Sequence, residues 1–275
     1  MSPASGTDSD PTRKQRRDQA REQRRAMEAA AAAQATRRKR MIQLGGIVGV
    51  VVVVIAVILV ATSGGGSSPP PKTGGGTGNP ESKTVATLLK GIPQSGNVLG
   101  NPNAPVTLKY FGDLECPICK EFTLGAYPSL IEKYVRPGKL KVEYLSMETA
   151  TDEPEVFKTQ QVAAYAAGKQ NLGWYFIELF YHEQGQEKTG YVTESYLQGL
   201  AQQVPGLNLP NWSAARNDPA LAEEVKKDEQ IAAQEGFTGT PSFLIGKSGG
   251  PFTKLESPNL EQPSDFESAI NKLLA

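Results

Sequence analysis

The stretch from Pro105 to Met147 constrains the fold more than any other part of the chain. It opens with PVTLKYF at 105–111, apolar residues and β-formers in the pattern of a buried strand. FGDLECPICKEF at 111–122 follows, with Cys116 and Cys119, the only two cysteines in 275 residues. Apolar residues at near-helical spacing then run through Phe122, Ala126, Leu130 and Tyr134. LKVEYLSM at 140–147 reads as a second strand. Pro117 suits a first helical turn, where its missing N–H costs nothing. Pro128 has to kink or interrupt the same helix. Strand, helix, strand predicts a parallel pair joined by a right-handed crossover, with the cysteines at the strand-to-helix junction.

The charge is unevenly distributed. Residues 1–40 carry 11 Lys/Arg against 5 Asp/Glu, and the remainder carries 18 against 24. Such asymmetry suggests parts that live in different places. The basic segment has no apolar stripe to bury and no interleaved aromatic residue for base stacking, so it reads as a mostly disordered cytoplasmic tail rather than a nucleic-acid arm. From Leu44 to Ala61 every residue is Gly, Ala, Val, Ile or Leu, and Met41 and Ile42 extend the run. At a helical rise near 1.5 Å, about 20 such residues span roughly 30 Å of hydrocarbon. Arg37, Arg38, Lys39 and Arg40 abut its N-terminal side and predict a cytoplasmic N-terminus. An uncleaved anchor at 41–62 is expected, because the run exceeds the usual core of a cleaved signal peptide. Residues 63–83 read as a Gly/Ser/Pro linker.

The globular part is expected at 84–275. Segments between 151 and 236, such as EVFKTQQVAAYAAGKQ and PALAEEVKKDEQIAAQEG, show helical periodicity and read as a block of four or five helices. In NDPALAEE, Asn217 or Asp218 can cap and Pro219 fits the first turn. Strand signals return at SFLIG (242–246) and FTKLES (252–257), and SDFESAINKLLA reads as a capped helix from Ser264. The predicted class is α/β, with 84–150 and 237–275 forming one domain and 151–236 a helical insertion.

Three chemistries compete for the cysteine pair. A structural disulfide closing so short a loop removes little unfolded-state entropy. A zinc site needs about four ligands, and beyond the cysteines the chain offers one histidine, His182, within the aromatic run WYFIELFYHEQ. His182 reads as a packing or helix-surface residue. A redox pair has a mechanism at this position. Cys116 should cap the helix, where free backbone N–H groups and the helix dipole favour a thiolate. Cys119, one turn further in, becomes the resolving thiol.

FGDLECPICKEF after a strand resembles the active site of DsbA-type thioredoxin-fold proteins, above all the membrane-tethered oxidoreductases of Gram-positive and actinobacterial envelopes. GFTGTPSFLIG resembles their second signature, a cis-proline loop before a strand. The long interval between the two is what a helical domain inserted into a thioredoxin-like fold produces. The resemblance covers 84–275. It implies that Cys116 exchanges disulfides with substrate and Cys119 resolves. It also implies that Pro241 is cis, and that Pro117, Ile118, Thr240 and Pro241 meet the substrate. No metal or organic cofactor is implied. The implied partners are exported proteins with free thiols and a membrane quinone enzyme, DsbB-like or vitamin-K-epoxide-reductase-like, that reoxidises the pair.

One residue departs from the resemblance. Pro117-Ile118 stands where the strongly oxidising enterobacterial enzymes have Pro-His. Isoleucine offers the Cys116 thiolate neither charge nor hydrogen bond, which makes the disulfide less oxidising. Asp113 and Glu115 push the same way unless solvated, and Glu115 and Lys120 read as surface charges. The expected function is an extracytoplasmic oxidoreductase that introduces disulfides into exported proteins. A reductase or isomerase using the same cysteines, and an adaptor without turnover, are the alternatives.

Overall fold

The computed structural model describes residues 79–275. The predicted tail, membrane anchor and nearly all of the linker lie outside the described residues. Among the described residues no helix is long and apolar enough to cross a membrane.

The first helix, α1 (Pro80–Leu89), begins inside the stretch expected to be linker. Asn79 caps it, its side chain accepting from the Glu81 N–H, and Pro80 occupies the first turn. A short hairpin follows, β1 (Gln94–Ser95) and β2 (Val98–Leu99). Two-residue strands have too few residues to show a periodicity, and the sequence reading passed over them.

The strand–helix–strand unit comprises β3 (Val106–Gly112), α2 (Pro117–Leu124) and β4 (Leu140–Ser146). Strands β3 and β4 pair in parallel, Val106 opposite Leu140 through Gly112 opposite Ser146. The intervening helix breaks earlier than expected. It ends at Gly125, not at Pro128, because the Leu260–Glu261 backbone crosses there: a Cβ on Gly125 would lie 2.7 Å from the Leu260 oxygen. The Leu260 carbonyl instead accepts from the Ala126 N–H at 2.8 Å. Pro128 then sits harmlessly in the first turn of α3 (Tyr127–Leu130), which runs on into a π-turn at Ile131–Val135.

Five helices separate β4 from the last strands: α4 (Pro154–Gly168), α5 (Gly173–His182), α6 (Glu194–Gln203), α7 (Leu209–Ala215) and α8 (Pro219–Gln234). Asp218 caps α8 as expected, accepting from the Ala220 N–H at 3.0 Å. The chain closes with β5 (Ser242–Lys247), β6 (Phe252–Lys254) and α9 (Ser264–Leu274). The residue before α9 is Pro263, so that helix lacks the side-chain cap expected for it.

The sheet order is β1-β2-β4-β3-β5-β6, which puts β3 at the centre. Both faces of β3 are covered. Val106, Leu108 and Tyr110 enter the larger core, which also takes in Phe122, Trp174 and Phe266. Phe111 faces the opposite side with Leu145, Leu244 and Ala232 of α8. The helices between β4 and β5 share this packing: Trp174, Phe176 and Phe180 of α5 belong to the same core as the sheet.

Candidate functional site

The sheet register decides which residues meet. Strand β3 ends at Gly112, and β5 runs antiparallel to it with Phe111 opposite Ser242. Thr240 and Pro241, just before β5, are therefore carried past the end of β3 to the start of α2. The Thr240–Pro241 peptide is cis. Cys116 holds the N-cap position of α2, and its sulfur accepts from the Cys119 N–H at 3.4 Å. Its thiol donates to the Thr240 carbonyl, also at 3.4 Å.

Both thiols are free and differ sharply in environment. Cys116 keeps a 5% exposed edge, whereas Cys119 is sealed at 0%. Hydrogen bonding from the Cys119 thiol lowers the Cys116 pKa from the ordinary 9.0 to about 7 against the opposing effect of burial. The Thr240 side chain and the backbone N–H groups of Cys119 and Ile118 add to the lowering. Burial pushes Cys119 well up, and the neighbouring Cys116 adds to it. One sulfur is poised to be a thiolate near neutral pH, and the other to stay protonated until it is needed.

Pro117 and Ile118 are exposed beside the pair, Ile118 at 46%. An open cavity of about 430 Å³ runs from Ile118 along Phe237, Thr240, Pro241, Lys254 and Leu255. The structure thus brings together all six residues singled out in the sequence.

The surface-charge reading is corrected for both Glu115 and Lys120. Glu115 is 4% exposed rather than a surface charge, and Asp113 is fully buried. Burial raises the Glu115 pKa. The reason is local: the turn between β3 and α2 is roofed by residues 149–151, whose N–H and hydroxyl groups turn inward to Asp113. Lys120 is partly buried and donates to the Gln184 carbonyl at 3.3 Å. His182 closes α5 and faces Glu81 at 3.0 Å, with Glu178 at 3.9 Å, as a packing residue would.

Sequence reasoning missed Gln184 and Tyr181. The Gln184 side-chain amide donates to the Leu114 and Cys116 carbonyls at 2.7 and 3.0 Å. The Tyr181 hydroxyl donates to the Asp113 carbonyl at 3.1 Å. Both brace the cysteine turn from across the fold, and no local pattern marks such a role. Among the described residues no cluster of three or more His, Cys, Asp or Glu side chains could hold a metal ion.

A family model described as thioredoxin matches residues 94–266, well over half of the chain. The probable disulfide bond formation protein D of Bacillus cereus is 26% identical over 180 residues, covering 64% of this chain and 77% of the relative. The crystal structure of oxidised BdbD from Bacillus subtilis superposes with a TM-score of 0.56 at 21% identity, covering 66% of this chain and 96% of that one. The structure of Wolbachia pipientis alpha-DsbA1 gives 0.52 at 19% identity, over 67% and 92% of the two chains. At such identities the structural likeness establishes the fold. With the family match and the curated relatives, it follows that the chain belongs to the thioredoxin family as a DsbA-like thiol-disulfide oxidoreductase.

Proposed function

We propose that the protein introduces disulfides into exported proteins through Cys116 and Cys119. The observation that carries this reading is the asymmetry of the pair: an acidic, edge-exposed Cys116 beside the Thr240 backbone, over a sealed, weakly acidic Cys119. In the oxidised protein a substrate thiolate attacks the Cys116 sulfur, and Cys119 leaves and takes up a proton. A second substrate thiolate then attacks the substrate sulfur of the mixed disulfide and displaces the Cys116 thiolate. Two electrons pass to the pair, Cys119 carries one proton while Cys116 is left as a thiolate that titrates with solvent, and the substrate keeps the new S–S bond. Pro117, Ile118, Thr240 and Pro241 would guide the extended substrate chain along the cavity beside Cys116.

The reduced pair then needs an oxidant, which this reading assigns to a quinone-linked membrane enzyme. Residues 41–62 would anchor the catalytic domain outside the membrane, with 1–40 in the cytoplasm. Residues 63–83 would let it reach partner and substrate, and 151–236 would be the helical insertion in a thioredoxin-like domain formed by 84–150 and 237–275. The names of the Bacillus relatives support the oxidising direction.

A second reading, reduction or isomerisation by the same cysteines, has its own support. A Cys116 pKa of about 7 matches the value near 7 of thioredoxin, not the value near 3.5 of DsbA. The adaptor reading, binding without turnover, is tested by Cys119→Ser. That variant should accumulate Cys116 mixed disulfides with envelope proteins, separable by reducing and non-reducing electrophoresis. A folded, exported variant that traps nothing would favour the adaptor.

A further inference from the structure

A carboxylate out of reach of water must be compensated by donors. Asp113 is fully buried, three residues before Cys116, and is compensated entirely by hydrogen bonds from two segments. One oxygen accepts from the Glu115 N–H at 3.0 Å and the Thr151 hydroxyl at 2.8 Å. The other accepts from the N–H groups of Thr149, Ala150 and Thr151 at 3.0, 2.8 and 3.0 Å. Glu115 lies in the cysteine turn; 149–151 lie in the loop that leaves β4. The parallel β3–β4 pair brings these two ends side by side, and the carboxylate bolts them together.

The loop does not stop at Asp113. The Thr149 hydroxyl is hydrogen-bonded to the Thr240 hydroxyl, and the Thr240 carbonyl accepts from the Cys116 thiol at 3.4 Å. The contacts close a ring: Cys116, Thr240, Thr149, Asp113, Glu115 and back to Cys116. Gln160 of α4 steadies it by donating to the Thr151 hydroxyl at 2.7 Å.

We infer that Asp113 and Thr149 are positioning residues for thiol–disulfide exchange, holding Thr240 in place against Cys116. The lowering of the Cys116 pKa by the Thr240 side chain fits this role. A carboxylate that only filled space beneath the turn would need no link to Thr240. The inference rests on the redox reading of Cys116, and the test separates the two.

The experiment compares the reduced wild type with Thr149→Val, Thr149→Ser and Asp113→Asn. Cys116 is titrated by thiolate ultraviolet absorbance, and exchange is followed with a dithiol peptide. Thr149→Val should raise the Cys116 pKa by about 0.5–1 unit as Thr240 loses its hold beside the sulfur. Thr149→Ser should restore the wild-type value. Asp113→Asn should move it further in the same direction. Thr149 is exposed, so its variants decide the matter even where Asp113→Asn fails to fold. If Thr149→Val titrates like the wild type, or Thr149→Ser shifts as far as Thr149→Val, the assignment is overturned while the redox reading stands. A wild type that exchanges no disulfides overturns both.

Discussion

At the scale of single residues, the chemistry turns on how unlike the two cysteines are. Alkylation of the reduced protein should modify Cys116 alone, with a rate that rises with pH through about 7. Equal labelling of Cys119 would contradict its burial. Ile118 is the exposed neighbour whose side chain, unlike its backbone N–H, withholds help from the thiolate. Ile118→His should lower the Cys116 pKa by about one unit or more and make the disulfide more oxidising. A second titratable group stands apart from the site. Glu178 is fully buried on α5, neither oxygen has a hydrogen-bond partner among the described residues, and burial lifts its pKa from 4.5 to about 8. Its folded value lies above its unfolded one, so the associated stability is complete below about 4.5 and is lost as pH rises to about 8. Glu178→Gln should therefore gain stability relative to the wild type at pH 7, by up to about 3 kcal/mol, and gain none near pH 4. Denaturant midpoints at the two pH values check this; equal shifts at both would contradict it.

At the scale of elements, the parts that face Cys116 are set by close approaches. Gly112 ends β3 among tyrosines: a Cβ there would lie 2.8 Å from the Tyr144 ring and 2.9 Å from the Tyr181 hydroxyl. Gly112→Ala should displace Tyr181 from the Asp113 carbonyl and cost about 2 kcal/mol or more, read as a lowered thermal midpoint with slowed exchange. The strands and helices that carry the site were readable in the sequence because each shows its own period. PVTLKYF and LKVEYLSM became β3 and β4 almost residue for residue. The break of the first crossover helix was misplaced, since Gly125 yields to the Leu260 backbone, a neighbour 135 positions away in sequence that no local window contains. The burial of Glu115 and the reach of Gln184 were hidden for the same reason. Both are consequences of which loops the sheet brings together.

At the scale of the whole molecule, the sheet and the helices that follow β4 cooperate around one turn. Strand β3 delivers the cysteines, β5 delivers Thr240, and α5 with Gln184 just beyond it braces the turn from the far side. The cysteine pair and its distant Thr-Pro companion were readable because chemistry needs particular residue types; the bracing was not, since glutamine and tyrosine serve many ends. A chain lacking 1–62 should exchange disulfides with dissolved substrates as the full chain does, yet fail to be recycled by a membrane oxidant. Activity assays with and without membranes distinguish these outcomes. The direction of electron flow is the claim on which the proposed function depends most. It is read most directly from the reduction potential of the Cys116–Cys119 pair, measured by equilibration with glutathione. The account predicts a value clearly more oxidising than the roughly −270 mV of thioredoxin, though short of the roughly −120 mV of DsbA because the Ile118 side chain gives the thiolate no support. A value at or below that of thioredoxin would contradict it.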